Sequence, residues 1–157
     1  MSTEPASAGL RRGMEEIVSS IFENMLGLST NFLSPEPVQS SPGDIRASVE
    51  FTGSWHGTVS MECALQQARH FAARFLSLPA SRMDDQIACD VLGELANMVA
   101  GNLKPLFASD IQLSTATVCQ TRNELALDFD PAICIQLLLF CAEGNFVARL
   151  LAAPTHL

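Results

Sequence analysis

The chain has 157 residues, of which 48% are hydrophobic and 17% charged, and its formal net charge is −8. This length fits one domain with its own core, and no apolar run reaches the roughly 18 residues that a membrane-spanning helix needs. The 9 Lys and Arg residues form no basic cluster. Nucleic acids and anionic membranes are therefore disfavoured as partners, because both attract concentrated positive charge.

Two features favour an intracellular protein. Residues 1–9 are rich in Ser, Ala and Pro and lack the basic and apolar regions of a secretory signal, so we expect a disordered tail there and a single domain over residues 10–157. The 5 cysteines show no CxxC spacing and no metal-like pairing with histidine, which indicates reduced thiols in a core. We therefore expect a cytoplasmic protein.

The first half of the chain alternates between helical and strand periodicity. Apolar residues recur at helical spacing over residues 10–26, and Gly27 offers a stop. Residues 34–44 hold three prolines and predict a connecting loop. Residues 45–63 have a period of two around a turn-prone centre, which predicts a β-hairpin, and residues 64–76 return to helical spacing.

The second half begins with the longest helical pattern, over residues 84–106, with Asp84 and Asp85 as capping candidates. Four strand-like stretches follow, at residues 111–119, 124–129, 133–141 and 145–152. This order predicts an α+β fold, with helices packed on a mostly antiparallel sheet. Because residues 133–141 are apolar at nearly every position, we expect a central strand covered on both faces or one that lies against a partner chain.

The third helix presents three different sides at about 100° per residue. Apolar residues gather on a predicted core side: Ile87, Val91, Leu92, Leu95, Met98, Val99, Leu103 and Leu106. A second side is a strip of small residues: Gly93, Ala96 and Ala100. The third side is polar: Asp90, Glu94, Asn97, Gly101 and Lys104.

The polar side has an ordinary explanation, since amphipathic helices face water with such residues. The two helix glycines favour a second explanation. Gly93 and Gly101 each cost about 1 kcal/mol relative to Ala inside a helix, a cost that is easier to understand if a partner approaches the backbone closely. On this interpretation the polar side enters a concave partner.

Residues 90–104, DVLGELANMVAGNLK, resemble the signature helix of the CheX, CheC and FliY phosphatases, whose pattern is Asp or Ser, three residues, Glu, two residues, Asn. The run GELANMVAGNLK is especially similar to CheX. The hairpin FTGSWHGTVSMEC and the helix ARHFAARFLSLP also resemble that family, so the likeness extends over about residues 45–117. One departure is Ala116, which stands where the family's LSxPTV segment has proline.

The resemblance implies a CheC/CheX-like α+β fold and a phosphatase that hydrolyses the aspartyl phosphate of a CheY-type response regulator. An acyl phosphate already reacts with water, so such an enzyme mainly needs to position a water molecule. The resemblance assigns that task to Asn97, whose amide has hydrogen-bond donors and acceptors, and assigns docking on a receiver lysine to Glu94. Asp90, Gly101 and Lys104 are expected to contact the partner.

The resemblance further implies that this chain binds no cofactor, that the receiver supplies Mg²⁺, and that the protein forms a homodimer. Two alternatives stay open. One is a non-catalytic CheX-like binding module in a signalling assembly. The other is a generic ligand-binding α+β domain whose helix matches the pattern by chance.

Overall fold

The structure, a computed structural model, describes residues 7–32, 44–120 and 133–152. The predicted strand at residues 124–129, most of the predicted loop at residues 34–44 and the first six residues lie outside these ranges. The helices within them are α1 (Ser7–Ile21), α2 (Leu65–Leu76) and α3 (Asp85–Leu103). The strands are β1 (Asn31–Phe32), β2 (Ile45–Thr52), β3 (Gly57–Cys63), β4 (Gln112–Leu113), β5 (Thr117–Gln120), β6 (Ile133–Cys141) and β7 (Gly144–Ala152).

These strands form one antiparallel sheet in the order β1-β6-β7-β3-β2-β4, and β5 pairs with β2 beside β4. The helices share one face of the sheet: α3 packs on β2 and β3, α1 packs on β6, and both α1 and α2 pack on α3. An aromatic cluster joins the helix layer to the sheet. Phe22 stacks on Phe146 of β7 at 4.6 Å and meets Phe71 of α2 edge-on at 5.2 Å. The predicted α+β fold, with helices on an antiparallel sheet, is confirmed.

The end of the first helix differs from a regular α-helix. A π-helical turn, Phe22–Leu26, follows α1, and Gly27 closes it with a left-handed φ of 67°. The i to i+5 pattern of a π turn shifts the buried position by one residue, so Leu26 is buried while Met25 is 38% exposed. The helical spacing of apolar residues over residues 10–26 includes both positions.

Strand β6 is covered on one face by the described residues. Its side chains alternate, with Ile135, Leu137 and Leu139 buried beneath the helices while Leu138 is half-buried and Phe140 is 42% exposed. The strand also lies next to the edge, since only the two residues of β1 flank it on that side. The expectation of cover from both faces is therefore not met within the described chain, and contact with a second copy stays a prediction.

The described cysteines are free thiols. Cys63 and Cys141 are buried as expected, Cys89 is half-buried, and Cys119 is exposed on the edge strand β5. Burial raises the pKa of the Cys63 thiol far above its ordinary value, which keeps this side chain protonated. Over the three described ranges, no helix is long and apolar enough to cross a membrane.

Candidate functional site

The helix α3 is fixed at its start by two polar contacts. The Asp84 side chain caps the helix by accepting a hydrogen bond from the Ile87 N–H at 2.8 Å, as its position in the sequence predicts. Asp85 forms an ion pair with Arg69 of α2. The first turn of α3 is thereby linked to the neighbouring helix α2.

One side of α3 carries the polar residues that the sequence pattern indicated. We call this set the polar ridge: Asp90, Glu94, Asn97, Gly101 and Lys104. Their spacings of three and four residues place them on one side of a helix. Three of them are exposed, while Asn97 and Lys104 are half-buried. The structure thus brings all five together on one accessible surface.

Glu94 and Asn97 are adjacent on this surface and are not engaged elsewhere. Neither side chain makes a hydrogen bond or an ion pair with another described residue. Asp90, one turn earlier, accepts a hydrogen bond from the Gln86 side chain at 2.9 Å. The Glu94 carboxylate and the Asn97 amide therefore keep their hydrogen-bonding capacity for groups outside the chain.

The far end of the ridge is fixed by a 3₁₀ turn. Lys104 closes α3 with its N–H bonded to the Ala100 carbonyl, and its own carbonyl accepts from the Phe107 N–H at 3.0 Å. Phe107 is buried and stacks on Trp55 of the β2–β3 turn at 4.7 Å. The backbone of Lys104 is therefore held from both sides.

The predicted helix over residues 84–106 ends three residues early. Pro105 has no N–H to continue the helical ladder, so Lys104–Leu106 adopts a 3₁₀ turn instead. The tighter turn rotates Leu106 out of the core, and its side chain is 43% exposed. Its assignment to the core side was wrong for this reason.

The two helix glycines lie in different surroundings. Gly93 is buried, and a Cβ at this position would lie 3.5 Å from the Ala116 Cβ and 3.4 Å from a Val118 methyl. At Gly101 a Cβ would meet nothing within 4 Å. The close approach inferred at Gly93 therefore comes from the chain itself, whereas the surface at Gly101 is open.

The segment that covers Gly93 is a β-bulge that sequence reasoning missed. Ser114 donates its N–H to the Glu50 carbonyl at 3.0 Å, and Thr117 is the next residue to pair, with Ser48. Residues 115–116 thus oppose the single residue Val49 of β2, which defines a bulge. Ala116, the position where the resembling family has proline, lies in this bulge. A proline there would have indicated an irregular edge position, whereas alanine gives no such signal.

The described residues hold no group of three or more His, Cys, Asp or Glu side chains arranged to bind a metal ion. The ridge itself carries two carboxylates, on Asp90 and Glu94. This side of α3 can offer hydrogen bonds and charge to a second molecule.

Comparison with known proteins shows the family of the chain. The family model for the chemotaxis phosphatase CheX matches residues 45–137, which is more than half of the chain and includes the whole of α3. The chain belongs to the CheX family. A search of curated proteins gives no match.

Solved CheX structures share the fold. CheX from Vibrio vulnificus matches with a TM-score of 0.73 and 19% identity, over 94% of this chain and 99% of that one. CheX from Desulfovibrio desulfuricans matches with a TM-score of 0.71 and 18% identity, over 92% of this chain and 99% of that one. A complex of CheX, CheY, BeF₃ and Mg²⁺ from Borrelia burgdorferi matches with a TM-score of 0.71 and 13% identity, over 91% of this chain and 97% of that one.

Proposed function

We propose that this CheX-family protein accelerates hydrolysis of the aspartyl phosphate of a CheY-type response regulator. One observation carries the proposal: Glu94 and Asn97 stand side by side, accessible and unengaged, on a helix inside the segment that the CheX family model matches. The complex of CheX with CheY from Borrelia burgdorferi supports the choice of partner. This function rests on family membership together with the unengaged side chains of Glu94 and Asn97 on the polar ridge.

Asn97 positions the attacking water. A carboxamide has no useful pKa and cannot remove a proton, but its carbonyl oxygen accepts a hydrogen bond and its NH₂ group donates. An aspartyl phosphate is an acyl phosphate, so the reaction needs an aligned water more than it needs a nucleophile from the enzyme. Asn97 is half-buried, which limits the motion of its amide and favours alignment.

Glu94 docks the helix on the receiver. Its carboxylate is exposed one turn from Asn97 and is proposed to pair with a lysine beside the phosphorylated aspartate. A charge-assisted hydrogen bond of this kind fixes both distance and register. Asp90, Gly101 and Lys104 complete the contact surface along the same side of α3.

The divalent ion of the reaction belongs to the receiver in this proposal. The described part of the chain offers no three-residue group for a metal, and the CheX and CheY complex from Borrelia burgdorferi contains Mg²⁺ together with BeF₃, a group that imitates a phosphoryl group. This chain then contributes water alignment and docking, while the receiver's metal neutralises charge on the transferred phosphoryl group.

We also propose that the protein is a homodimer, as the resemblance implies. The outward side of β6 exposes Phe140 at 42%, an apolar group that a second copy would cover. Sedimentation equilibrium of the wild type and of Phe140→Ser tests this, and a wild type that remains monomeric at high concentration would contradict it.

The function is tested with phosphorylated receivers encoded by the same genome. The protein should increase the rate of phosphate loss from one of them and should bind its beryllofluoride-activated form more tightly than its free form. Binding without any increase in rate would favour the non-catalytic module instead. Absence of both would favour a generic ligand-binding domain.

A further inference from the structure

The two ends of the polar ridge carry charges of opposite sign. Asp90 and Glu94 place two negative charges on the N-terminal side of Asn97, and Lys104 places a positive charge at the C-terminal end of α3. At about 1.5 Å per residue, Asp90 and Lys104 are about 21 Å apart along the axis. The neutral residues Asn97 and Gly101 lie between these charges.

We propose that Lys104 binds a carboxylate on the receiver, at the rim of its phosphorylation pocket, and thereby sets the direction in which the receiver docks along α3. This inference rests on the proposed function, since it concerns the same partner. A complementary partner presents a cation near Glu94 and an anion near Lys104. The reversed placement brings like charges together and is disfavoured.

Lys104 is free for such a contact. It is the only lysine of the chain, and its side chain makes no hydrogen bond or ion pair with another described residue. Most described arginines are engaged by an acidic or polar group of the chain: Arg11, Arg12, Arg46, Arg69, Arg74 and Arg149. The ammonium of Lys104 is thus an uncommitted positive charge on the ridge.

Lys104 is also held in place. It is half-buried, and backbone hydrogen bonds to Ala100 and Phe107 fix it from both sides. Since Cα–Cβ bonds of a helix tilt toward its N-terminus, the Lys104 stem starts in the direction of Gly101. Apart from neighbouring residues and backbone of the helix itself, nothing lies within 4 Å of a Cβ at Gly101, so no other part of the described chain covers the surface there.

The distance from Asn97 favours a rim carboxylate over the reacting phosphoryl group. Lys104 follows Asn97 by seven residues, about 10 Å along the helix axis. The four-carbon stem of lysine must bridge most of that distance to reach a group held at Asn97. A contact with an acidic side chain beside the pocket needs no such extension.

Zero-length cross-linking with a carbodiimide tests the contact, because this reagent joins an amine directly to a carboxylate. The wild type and a beryllofluoride-activated receiver should give a product whose peptides join Lys104 to one Asp or Glu of the receiver. Lys104→Arg keeps the charge but has no reactive amine, so it should lose this product and bind within about threefold of the wild type. Cross-linking through the terminal amine would survive in that variant and is distinguished by peptide mapping.

Kinetics provide the second measurement. Lys104→Gln should raise KM for the phosphorylated receiver about fivefold and leave kcat within about twofold, as expected for a docking charge. Arg12→Gln is the matched control, since it removes one exposed positive charge from α1 and should change neither constant.

Three results would overturn the inference. A fall in kcat with unchanged KM would place Lys104 on the phosphoryl group. A lowered melting temperature of Lys104→Gln with unchanged kinetics would leave Lys104 only the role of a cation at the helix C-terminus. Failure of the wild type to form a cross-link through Lys104 would exclude the contact. If the wild type accelerates no dephosphorylation yet still cross-links through Lys104, the proposed catalysis fails while the docking contact stands.

Discussion

Gly93 of α3 lies against Ala116, at a distance where an added Cβ would stand 3.5 Å from the Ala116 Cβ. The contact joins the helix turn that carries Glu94 to a β-bulge at the edge of the sheet. Gly93 is thus covered by its own chain, while Gly101, two turns later, is open. The missing side chain at Gly93 therefore leaves room for Ala116 and Val118 of the same chain, whereas the one at Gly101 leaves the surface open.

Replacing each of these two glycines with alanine distinguishes an effect on stability from an effect on receiver dephosphorylation. Both Gly93→Ala and Gly101→Ala should raise the free energy of unfolding by about 0.5 to 1 kcal/mol, because alanine favours the helix and neither added Cβ clashes. Only Gly101→Ala should slow receiver dephosphorylation, since only that methyl enters the docking surface. Denaturant unfolding and phosphate release measure the two effects. Equal activity of both variants would show that no close approach occurs at Gly101.

Proline should be tolerated at the bulge. The Ala116 N–H makes no backbone hydrogen bond with a described residue, and bulge positions at sheet edges accept proline. Ala116→Pro should therefore change the free energy of unfolding by no more than about 1 kcal/mol. Val49→Pro, on the inner strand β2 opposite, should lower the free energy of unfolding clearly more, because β2 is paired on both sides and proline cannot donate to the ladder. Similar losses for both variants would contradict the assignment of a bulge.

Neutralising Glu94 should weaken binding of the receiver. Glu94→Gln removes one charge of the proposed ion pair, which is expected to cost about 1.5 to 3 kcal/mol, or roughly 10- to 150-fold in affinity for the beryllofluoride-activated form. The affinity of the wild type should also fall with salt more steeply than that of the variant. Glu23→Gln, on the exposed part of the π-helical turn, is the control. An unchanged affinity in Glu94→Gln would remove Glu94 from the interface.

Acidic pH should weaken the hydrogen bonds that link the β2–β3 turn to the loop after α3. The Asp110 carboxylate accepts hydrogen bonds from the Ser54 hydroxyl at 2.8 Å and the Ser54 N–H at 2.7 Å, and these bonds lower the pKa of Asp110. Because the folded pKa lies below the unfolded one, the stabilisation is present above the unfolded pKa and is lost as pH falls through the folded pKa. Unfolding measured from neutral to acidic pH should show a flatter profile in Asp110→Asn. The same slope in both proteins would contradict the assignment.

Local patterns were sufficient to predict much of this fold. The alternation in residues 45–63 predicted β2 and β3, and the sequence after them predicted α2 and the cap of α3 at Asp84. These features depend on residues close in sequence, where period and capping chemistry are direct signals. The side of α3 that faces outward followed from the same spacing.

What the sequence did not reveal depends on distant pairing. The bulge at Ala116 exists because β4 and β5 pair with β2 in two registers that differ by one residue. The sequence of either strand by itself does not indicate that offset. The helix pattern alone therefore predicts close approach of a partner at Gly93, whereas Ala116 and Val118 of the same chain cover it. Leu106 fits the core side of the helical spacing, but the 3₁₀ turn at Pro105 leaves its side chain exposed.

The most direct test of the account compares two asparagines of the same segment. Asn97 lies on the polar ridge without a described partner, whereas the Asn102 side chain donates to the Met98 carbonyl at 2.8 Å. The rate of phosphate loss from a phosphorylated receiver is measured with the wild type, Asn97→Ala and Asn102→Ala. The account predicts a fall of about 10² or more in kcat for Asn97→Ala with unchanged receiver binding, and near wild-type activity for Asn102→Ala. Full activity in Asn97→Ala would contradict the proposed mechanism.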